Sequence, residues 1–140
     1  MNKPNKAFWI IAVLALLWNL MGVYQFYLGS FALESIRDSV YAEEFTIMES
    51  LPSWYAIVFG IAVFTGVLGC FLLLARKKLA VPLFGISLLT VLVIEFYWLF
   101  ATDIMEVSGL VAAVMPLIVI AISIFMYFYS KGAAQKGWLN

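Results

Sequence analysis

The stretch FLLLARKKLAVPLF, residues 71–84, places three bases between two apolar runs. The first run reaches back to residue 54, and the second continues to residue 101. A helix needs roughly 20 apolar residues to cross the hydrocarbon core of a bilayer, and each run is long enough. We therefore predict two membrane-spanning helices, at about residues 54–75 and 79–101, joined by a short basic turn.

Two further apolar runs, at about residues 7–28 and 110–129, complete a set of four candidate spans. The chain of 140 residues is 66% hydrophobic and 11% charged, whereas about a quarter of the residues in a soluble domain are charged. Backbone polar groups in lipid must be satisfied within their own segment, so each span is expected to be a helix. The sequence predicts one all-α domain, an integral membrane four-helix bundle, with a tail at residues 130–140.

The charged residues outside the spans divide by sign between the two sides of the predicted bundle. Most bases fall on one side: Lys3, Lys6, Arg76, Lys77, Lys78, Lys131 and Lys136. Most acids fall on the other side, with Arg37 among them: Glu34, Asp38, Glu43, Glu44, Glu49, Asp103 and Glu106. Short basic loops stay in the cytoplasm, so we expect both termini on the cytoplasmic side.

The composition argues against several classes of function. The chain has no histidine and a single cysteine, Cys70. An intrachain disulfide is therefore excluded, and the usual ligands of zinc, haem and iron–sulfur clusters are lacking. Ser–His and Cys–His nucleophile pairs are excluded as well. Because the net charge is zero, there is no basic face for nucleic acid. We expect neither an enzyme, nor a cofactor or metal site, nor a nucleic-acid partner.

The connection between the first two spans, residues 29–53, has an amphipathic pattern of its own. Its apolar residues recur near helical spacing: Leu33, Ile36, Val40, Ile47 and Leu51. This pattern predicts one or two short helices, with Ser30 as the cap at the start. Such helices would either pack among the lipid headgroups or form a lid over an outward opening.

Several polar or helix-breaking residues fall inside the predicted spans, in the outer half of the membrane. A carboxyl group in a span costs a few kcal/mol or more and by default indicates a function. A proline frees the carbonyl of the residue four positions earlier, and tryptophan adds an aromatic wall with one N–H donor. We predict an outward-opening pocket for a sugar-like or zwitterionic small solute, formed by Trp18, Asn19, Gln25, Glu95, Trp98 and Pro116.

The same residues also have a structural interpretation. Amide side chains such as Asn19 and Gln25 often hydrogen-bond between membrane helices. Glu95 would then bond to one of these amides or to a tryptophan, or pair with Arg37. The glycines of the second span allow a neighbouring helix to approach closely, and their face is our candidate for a contact between copies of the chain.

Four stretches resemble a group of small bacterial inner-membrane proteins with four spans, which often carry the label "sugar transporter". The stretches are LLWNLMGVYQF at 16–26, GVLGCFLLLARKKLAVPLF at 66–84, MPLIVIAISIF at 115–125 and KGWL at 136–139. The resemblance implies a bacterial inner-membrane location and transport of small solutes. It brings no defined catalytic or binding motif.

Two functions are consistent with these observations. The first is a small-solute, sugar-like carrier or carrier subunit. Four helices around a filled core leave little room for a path, so such a carrier is expected to work as a homo-oligomer. The second is a structural or accessory membrane protein that binds a partner through its acidic outer segment, residues 29–53. A membrane enzyme using Glu95 and Tyr97 as acid–base groups would lack both metal ligands and a nucleophile–base pair.

Overall fold

The computed structural model describes residues 3–140, and over this range the protein is all-α with no strand. Four helical segments are long and apolar enough to cross a membrane: Lys6–Phe31, Ser53–Leu74, Ala80–Ala101 and Ile104–Gln135. The prediction of an all-α membrane protein with four spanning helices is confirmed.

The first two of these segments are single α-helices, and the other two are composite. In chain order the elements are α1 (Lys6–Phe31), a 3-10 helix (Leu33–Ser39), α2 (Ala42–Glu49), α3 (Ser53–Leu74), α4 (Ala80–Phe96), a π-helical turn (Tyr97–Ala101), α5 (Ile104–Ser108), a second 3-10 helix (Gly109–Ala113) and α6 (Val114–Gln135). We call residues 32–52 the connecting segment. The end of the bundle that carries this segment is the acidic end, and the end that carries the α3–α4 turn is the basic end.

Two sequence predictions at the acidic end, a cap at Ser30 and a loosened helix at Pro116, need correction. Ser30 lies within the last turn of α1, and the 3-10 helix that follows begins without a side-chain cap. The backbone bond from the Ala32 N–H to the Leu28 carbonyl shows that the helical hydrogen-bond pattern runs past Ser30. Pro116 lies in the first turn of α6, where a missing N–H removes no helical bond. Pro116 therefore does not loosen the middle of a spanning helix.

The α3–α4 turn is closed by a paired hydrogen-bond motif at the end of α3. The Lys77 N–H donates to the Leu72 carbonyl at 2.8 Å, and the Arg76 N–H donates to the Leu73 carbonyl at 2.9 Å. This is the Schellman pattern, which requires a left-handed residue after the cap. Arg76 takes that role with φ 59°, although glycine is the usual residue in this conformation.

The last residues form part of the fold rather than a free tail. Helix α6 continues beyond residue 129 to Gln135, and Gly137 (φ 79°) then reverses the chain. Asn140 bonds to the α3–α4 turn through both backbone groups, at 2.7 Å to the Arg76 carbonyl and 2.8 Å from the Lys78 N–H. Trp138 meets the Phe8 ring edge-on at 5.8 Å. The start of α1, the turn and the C-terminus therefore lie together at the basic end.

The four long helices converge at the basic end. Helix α3 packs against α1 and α4, and α4 also packs against α6. One buried cluster joins all four helices and the C-terminal residues: Phe8, Ala12, Ala15, Cys70, Leu73, Ala80, Phe84, Met126, Ala133 and Leu139. Burial of these apolar side chains closes the bundle at this end.

The acidic end is organised differently, around two smaller clusters. One cluster, centred on Ala62, Val91 and Ile94, joins α3, α4 and α6 without α1. The other, centred on Ile47, Leu99 and Ile104, fixes α2 against the π-helical turn and α5. The connecting segment therefore follows α1 in the chain but is anchored on the π-helical turn and α5.

The glycines of α3 are occupied by contacts within the chain. Gly60, Gly66 and Gly69 are all buried. A methyl group on Gly60 would lie 3.1 Å from the Phe26 ring, and one on Gly69 would lie 2.9 Å from the Phe84 ring. The expectation that this face joins two copies of the chain is therefore wrong, because α1 and α4 already cover it.

A substitution at Gly66 tests this close packing. A methyl group there would collide with the amide oxygen of Asn19. We expect Gly66→Ala to lower the free energy of unfolding by about 1–3 kcal/mol, the usual cost of overpacking. The measurement is the midpoint of unfolding when the protein, purified in a mild detergent, is titrated with a denaturing detergent.

The matched control for this variant is Gly132→Ala. Gly132 lies in α6, and no neighbouring atom falls within 4 Å of the position that an alanine methyl group would occupy there. Replacing a helical glycine by alanine at an open position stabilises by about 0.5–1 kcal/mol. Equal midpoints for the two variants would contradict the packing described for α3.

Candidate functional site

A cavity of about 740 Å³ lies at the acidic end of the bundle. Its wall includes residues from α1, α3, α4 and α6, and the connecting segment contributes residues on the side away from the basic end. At this level α1 contributes no residue to the cluster that joins the other three helices, and it meets α3 through Phe26, which packs on Gly60 and Phe59. The size of the cavity falls in the range of about 300–1,000 Å³ that is typical of small-molecule sites.

Glu95 is the acidic residue of the spanning helices that lines this cavity. It lies in the last turn of α4 and is half-buried. None of residues 3–140 donates a hydrogen bond to its carboxyl group. No side-chain oxygen in the described chain is both fully buried and unpaired, so the carboxyl oxygens remain accessible from the cavity. The carboxyl is also close enough to the Tyr55 hydroxyl to interact electrostatically.

Two of the structural partners considered for Glu95 are engaged elsewhere, and the other two, Gln25 and Trp98, line the same cavity without donating a hydrogen bond to the carboxyl. Asn19 bonds within a different part of the bundle, at 2.8 Å to the Ala15 carbonyl and 3.6 Å to Cys70 Sγ. Arg37 lies on the connecting segment and pairs with Glu34. The carboxyl of Glu95 is therefore free to meet a ligand.

Four of the six residues predicted to form the site line this cavity, and two do not. Gln25 of α1, Glu95 of α4, Trp98 of the π-helical turn and Pro116 of α6 are lining residues. Trp18 and Asn19 instead border a separate pocket of about 20 Å³. These two were predicted for the site chiefly from their position in the outer half of the span, and that position does not specify which face of a helix a side chain occupies.

The pocket around Asn19 is a structural junction between helices. Ser87 of α4 donates a hydrogen bond to the Ala62 carbonyl of α3 at 2.8 Å. The Asn19 amide lies against Gly66 beside this bond. Polar bonds of this kind hold membrane helices together, so the interpretation of Asn19 as a contact between helices agrees with its surroundings.

Several lining residues were not predicted from the sequence to belong to the site. They include the aromatic residues Phe26, Tyr55 and Phe59, and the polar residues Ser30, Glu44, Glu49 and Ser108. The aromatic rings form a continuous row, with centroids 5.9 Å apart for Phe26–Phe59 and 6.2 Å for Tyr55–Phe59. The spacing of Tyr55 and Phe59, four residues apart on one helix, was a signal that they share a face.

One polar contact joins the connecting segment to α5, and a second group of contacts, around Arg37, lies within the segment itself. The Ser108 hydroxyl of α5 donates to the Glu44 carboxylate of α2. Arg37 pairs with Glu34 at 2.8 Å, lies 3.6 Å from Glu49, and covers the Phe45 ring at 4.3 Å. The hydrogen bond from Arg37 lowers the pKa of Glu34, and Glu34 raises the pKa of Arg37. Since both side chains are solvent-exposed, this ion pair contributes little stability.

The charge on the cavity wall has one sign. Its ionisable acids are Glu44, Glu49 and Glu95, and none of the lining residues is a lysine or an arginine. Within the described chain no group of three or more metal-binding side chains comes together. The cavity is therefore an acidic, aromatic space.

The fold and the cavity together define a class: a four-span membrane protein with an acidic cavity at one end of its bundle. No protein-family model, curated protein or solved structure matches the chain.

The two interpretations of Glu95 predict different stabilities. The carboxyl has no hydrogen-bond partner within residues 3–140 and carries a desolvation cost, so we expect Glu95→Gln to leave the free energy of unfolding unchanged or to raise it. Asn19→Ala removes the bonds to Ala15 and Cys70 and should cost about 1 kcal/mol. Unfolding midpoints of both variants in detergent provide the measurement. A loss in Glu95→Gln as large as that in Asn19→Ala would show that Glu95 is structural.

Proposed function

We propose that this protein takes up a small solute from the outer side of a bacterial inner membrane, as a carrier or as a subunit of one. The observation that carries the proposal is the Glu95 carboxyl, which faces a cavity of about 740 Å³ without a protein partner. An ionisable group in a spanning helix is expensive unless it serves a ligand or an ion. A solute that bonds to this carboxyl would explain why it is there.

The proposed orientation puts both termini in the cytoplasm. Arg76, Lys77 and Lys78 lie in the short α3–α4 turn at the basic end, and short basic loops are retained on the cytoplasmic side. The acidic end, with its cavity, would then face outward. This orientation supports capture of a solute from outside the cell.

The proposed carrier acts as a homo-oligomer. The cluster around Phe8, Cys70 and Leu73 closes the basic end, and each of these residues is fully buried. A solute in the cavity would need either a rearrangement of these helices or a second copy of the chain to complete its path. We propose no catalytic role, since the chain lacks histidine and has one cysteine.

The cavity also offers groups for more than one kind of small solute. The Gln25 amide and the hydroxyls of Ser30 and Ser108 line the cavity and would bond to a sugar-like solute. Glu95 would bind a solute that carries positive charge. Either solute requires that water reaches position 95 from the acidic end.

Water access to position 95 tests the proposal directly. In a Cys70→Ala background, we expect Glu95→Cys to react in intact cells with a membrane-impermeant thiol reagent, because the cavity connects the carboxyl to the outer solution. Matched single-cysteine controls are Asp38→Cys, exposed on the connecting segment, and Lys78→Cys at the basic end.

The three positions give separable outcomes. Asp38→Cys should label in intact cells, and Lys78→Cys only after the cells are permeabilised. No labelling at position 95, when the denatured protein does label there, would overturn the proposal. Labelling of Lys78→Cys in intact cells would instead reverse the orientation.

A second candidate function, an accessory membrane protein, is supported by one surface. Tyr41 lies between the two helices of the connecting segment and is 80% exposed, outside the spanning helices. The neighbouring acids Asp38 and Glu43 are exposed as well. A large exposed aromatic residue among charged groups is a common feature of protein-binding surfaces.

Photo-crosslinking from position 41 separates this function from the first. With p-benzoylphenylalanine in place of Tyr41, an accessory role predicts one discrete product larger than two copies of the chain in intact cells. A product of two copies would support the homo-oligomer instead. The control is the same reagent in place of Phe128, an exposed residue of α6 near the basic end, and a product common to both positions would count against a specific partner surface.

A further inference from the structure

We propose that the cavity selects organic ammonium cations that carry an apolar or aromatic body, with Glu95 as the counter-charge and the row of Phe26, Phe59 and Tyr55 as the wall for that body. This inference rests on the proposed function and names its solute class. It follows from three features of the cavity: the negative charge of its acidic residues, the aromatic rings in its wall, and its volume.

The charge of the wall favours a cation over a neutral or anionic solute. Glu44 accepts a hydrogen bond from Ser108, and Glu49 has Arg37 at 3.6 Å. Glu95 has no such partner within the described chain, and no lysine or arginine lines the cavity. An unpaired carboxylate in a partly desolvated site attracts positive charge much more strongly than it would in water.

The rings favour an organic cation over a metal ion. A metal ion needs several oxygen ligands within about 2.0–2.6 Å, and the described residues contain no cluster of three potential ligands. Ring faces attract ammonium groups, most strongly where water is excluded. The row begins at Phe26 and reaches Tyr55, whose hydroxyl is within electrostatic range of Glu95. A cation held by Glu95 would therefore lie next to an aromatic surface.

The size of the cavity favours a molecule of several carbon atoms. A volume of about 740 Å³ is many times that of a bare ammonium ion, and affinity for a drug-sized ligand comes largely from buried apolar surface. Met48, Leu51 and Met115 add flexible or aliphatic lining. Methionine adapts its shape to different ligands, so the site suits a group of related amines.

The test uses the full-length protein in nanodiscs of zwitterionic lipid. The probe is benzyltrimethylammonium, which keeps its charge at every pH. Its neutral isostere neopentylbenzene controls for apolar partition, and phenyl β-glucoside represents a sugar-like solute. Binding of each probe is measured by equilibrium dialysis.

We expect wild-type protein to bind the ammonium probe in preference to its isostere. Glu95→Gln should weaken binding of the ammonium probe at least about 10-fold, since it removes the counter-charge and keeps the side-chain size. Phe59→Leu should weaken it about 2- to 5-fold by removing one ring face. The control Glu106→Gln changes an exposed acid at the same end that does not line the cavity, and it should leave the affinity unchanged.

Failure of this inference is distinguishable from failure of the proposed function. Unchanged ammonium binding in Glu95→Gln, or equal binding of the isostere, would overturn the cation selectivity. If phenyl β-glucoside alone bound, the solute-carrier proposal would stand and the inference would fall. If no probe bound and position 95 were closed to thiol reagents, both would fall.

Discussion

Close contact of α1 and α4 with α3 is the constraint on which the rest of the structure depends. Gly66 receives the Asn19 amide and Gly69 receives the Phe84 ring, at separations that leave no room for a methyl group. In a membrane, where lipid is as apolar as the side chains, helices associate through such packing and through polar bonds between them. The contacts around Phe84 continue into the cluster that closes the basic end. At the acidic end α1 contributes no residue to the cluster of α3, α4 and α6, although Phe26 still packs on Gly60, and residues of all four helices line the cavity.

The polar residues of the spans divide into two groups with different physical roles. Asn19 and Ser87 hydrogen-bond to backbone carbonyls near the glycines of α3. Their bonds are satisfied by protein, so their contribution is to stability and to the register of the helices. Glu95 has no bond to protein within the described range and faces the cavity. A carboxyl in that situation costs free energy in the empty protein, and a ligand of opposite charge would recover this cost.

The two ends of the molecule are fixed by different kinds of contact. At the basic end, the backbone of Asn140 bonds to Arg76 and Lys78 of the turn, and Arg76 Nε donates to the Trp138 carbonyl at 2.9 Å. At the acidic end, the connecting segment is anchored by Ile47 and by the Ser108–Glu44 bond. The contacts at the basic end tie together parts of the chain that are distant in sequence, through hydrogen bonds to backbone groups. The anchoring at the acidic end depends on a small apolar cluster and polar contacts, so the connecting segment is the part of the cavity wall that is easiest to displace.

The sequence by itself determined the number of spanning helices and the separation of charge between the two ends. Both follow from local properties, because a bilayer requires roughly 20 apolar residues per helix and repels charge along the whole span. It also singled out Glu95, Gln25, Trp98 and Pro116 as candidate residues of the site, since polar or helix-breaking residues stand out in an apolar run. The signal for the reversal after α6 was present too, as the glycine in KGWL at 136–139.

Only the tertiary structure decided which polar residues share a space. Asn19 and Glu95 both fall in the outer half of the predicted membrane region, but they face different neighbours because the rotation of each helix is set by the packing of its glycines and rings. The grouping of Tyr55 and Phe59 with Glu95 likewise depends on the contact between α3 and α4, which no local pattern specifies. The depth of a side chain in the membrane follows from its position in the chain. The direction in which the side chain points follows from packing between helices, and that direction decides which groups line the cavity.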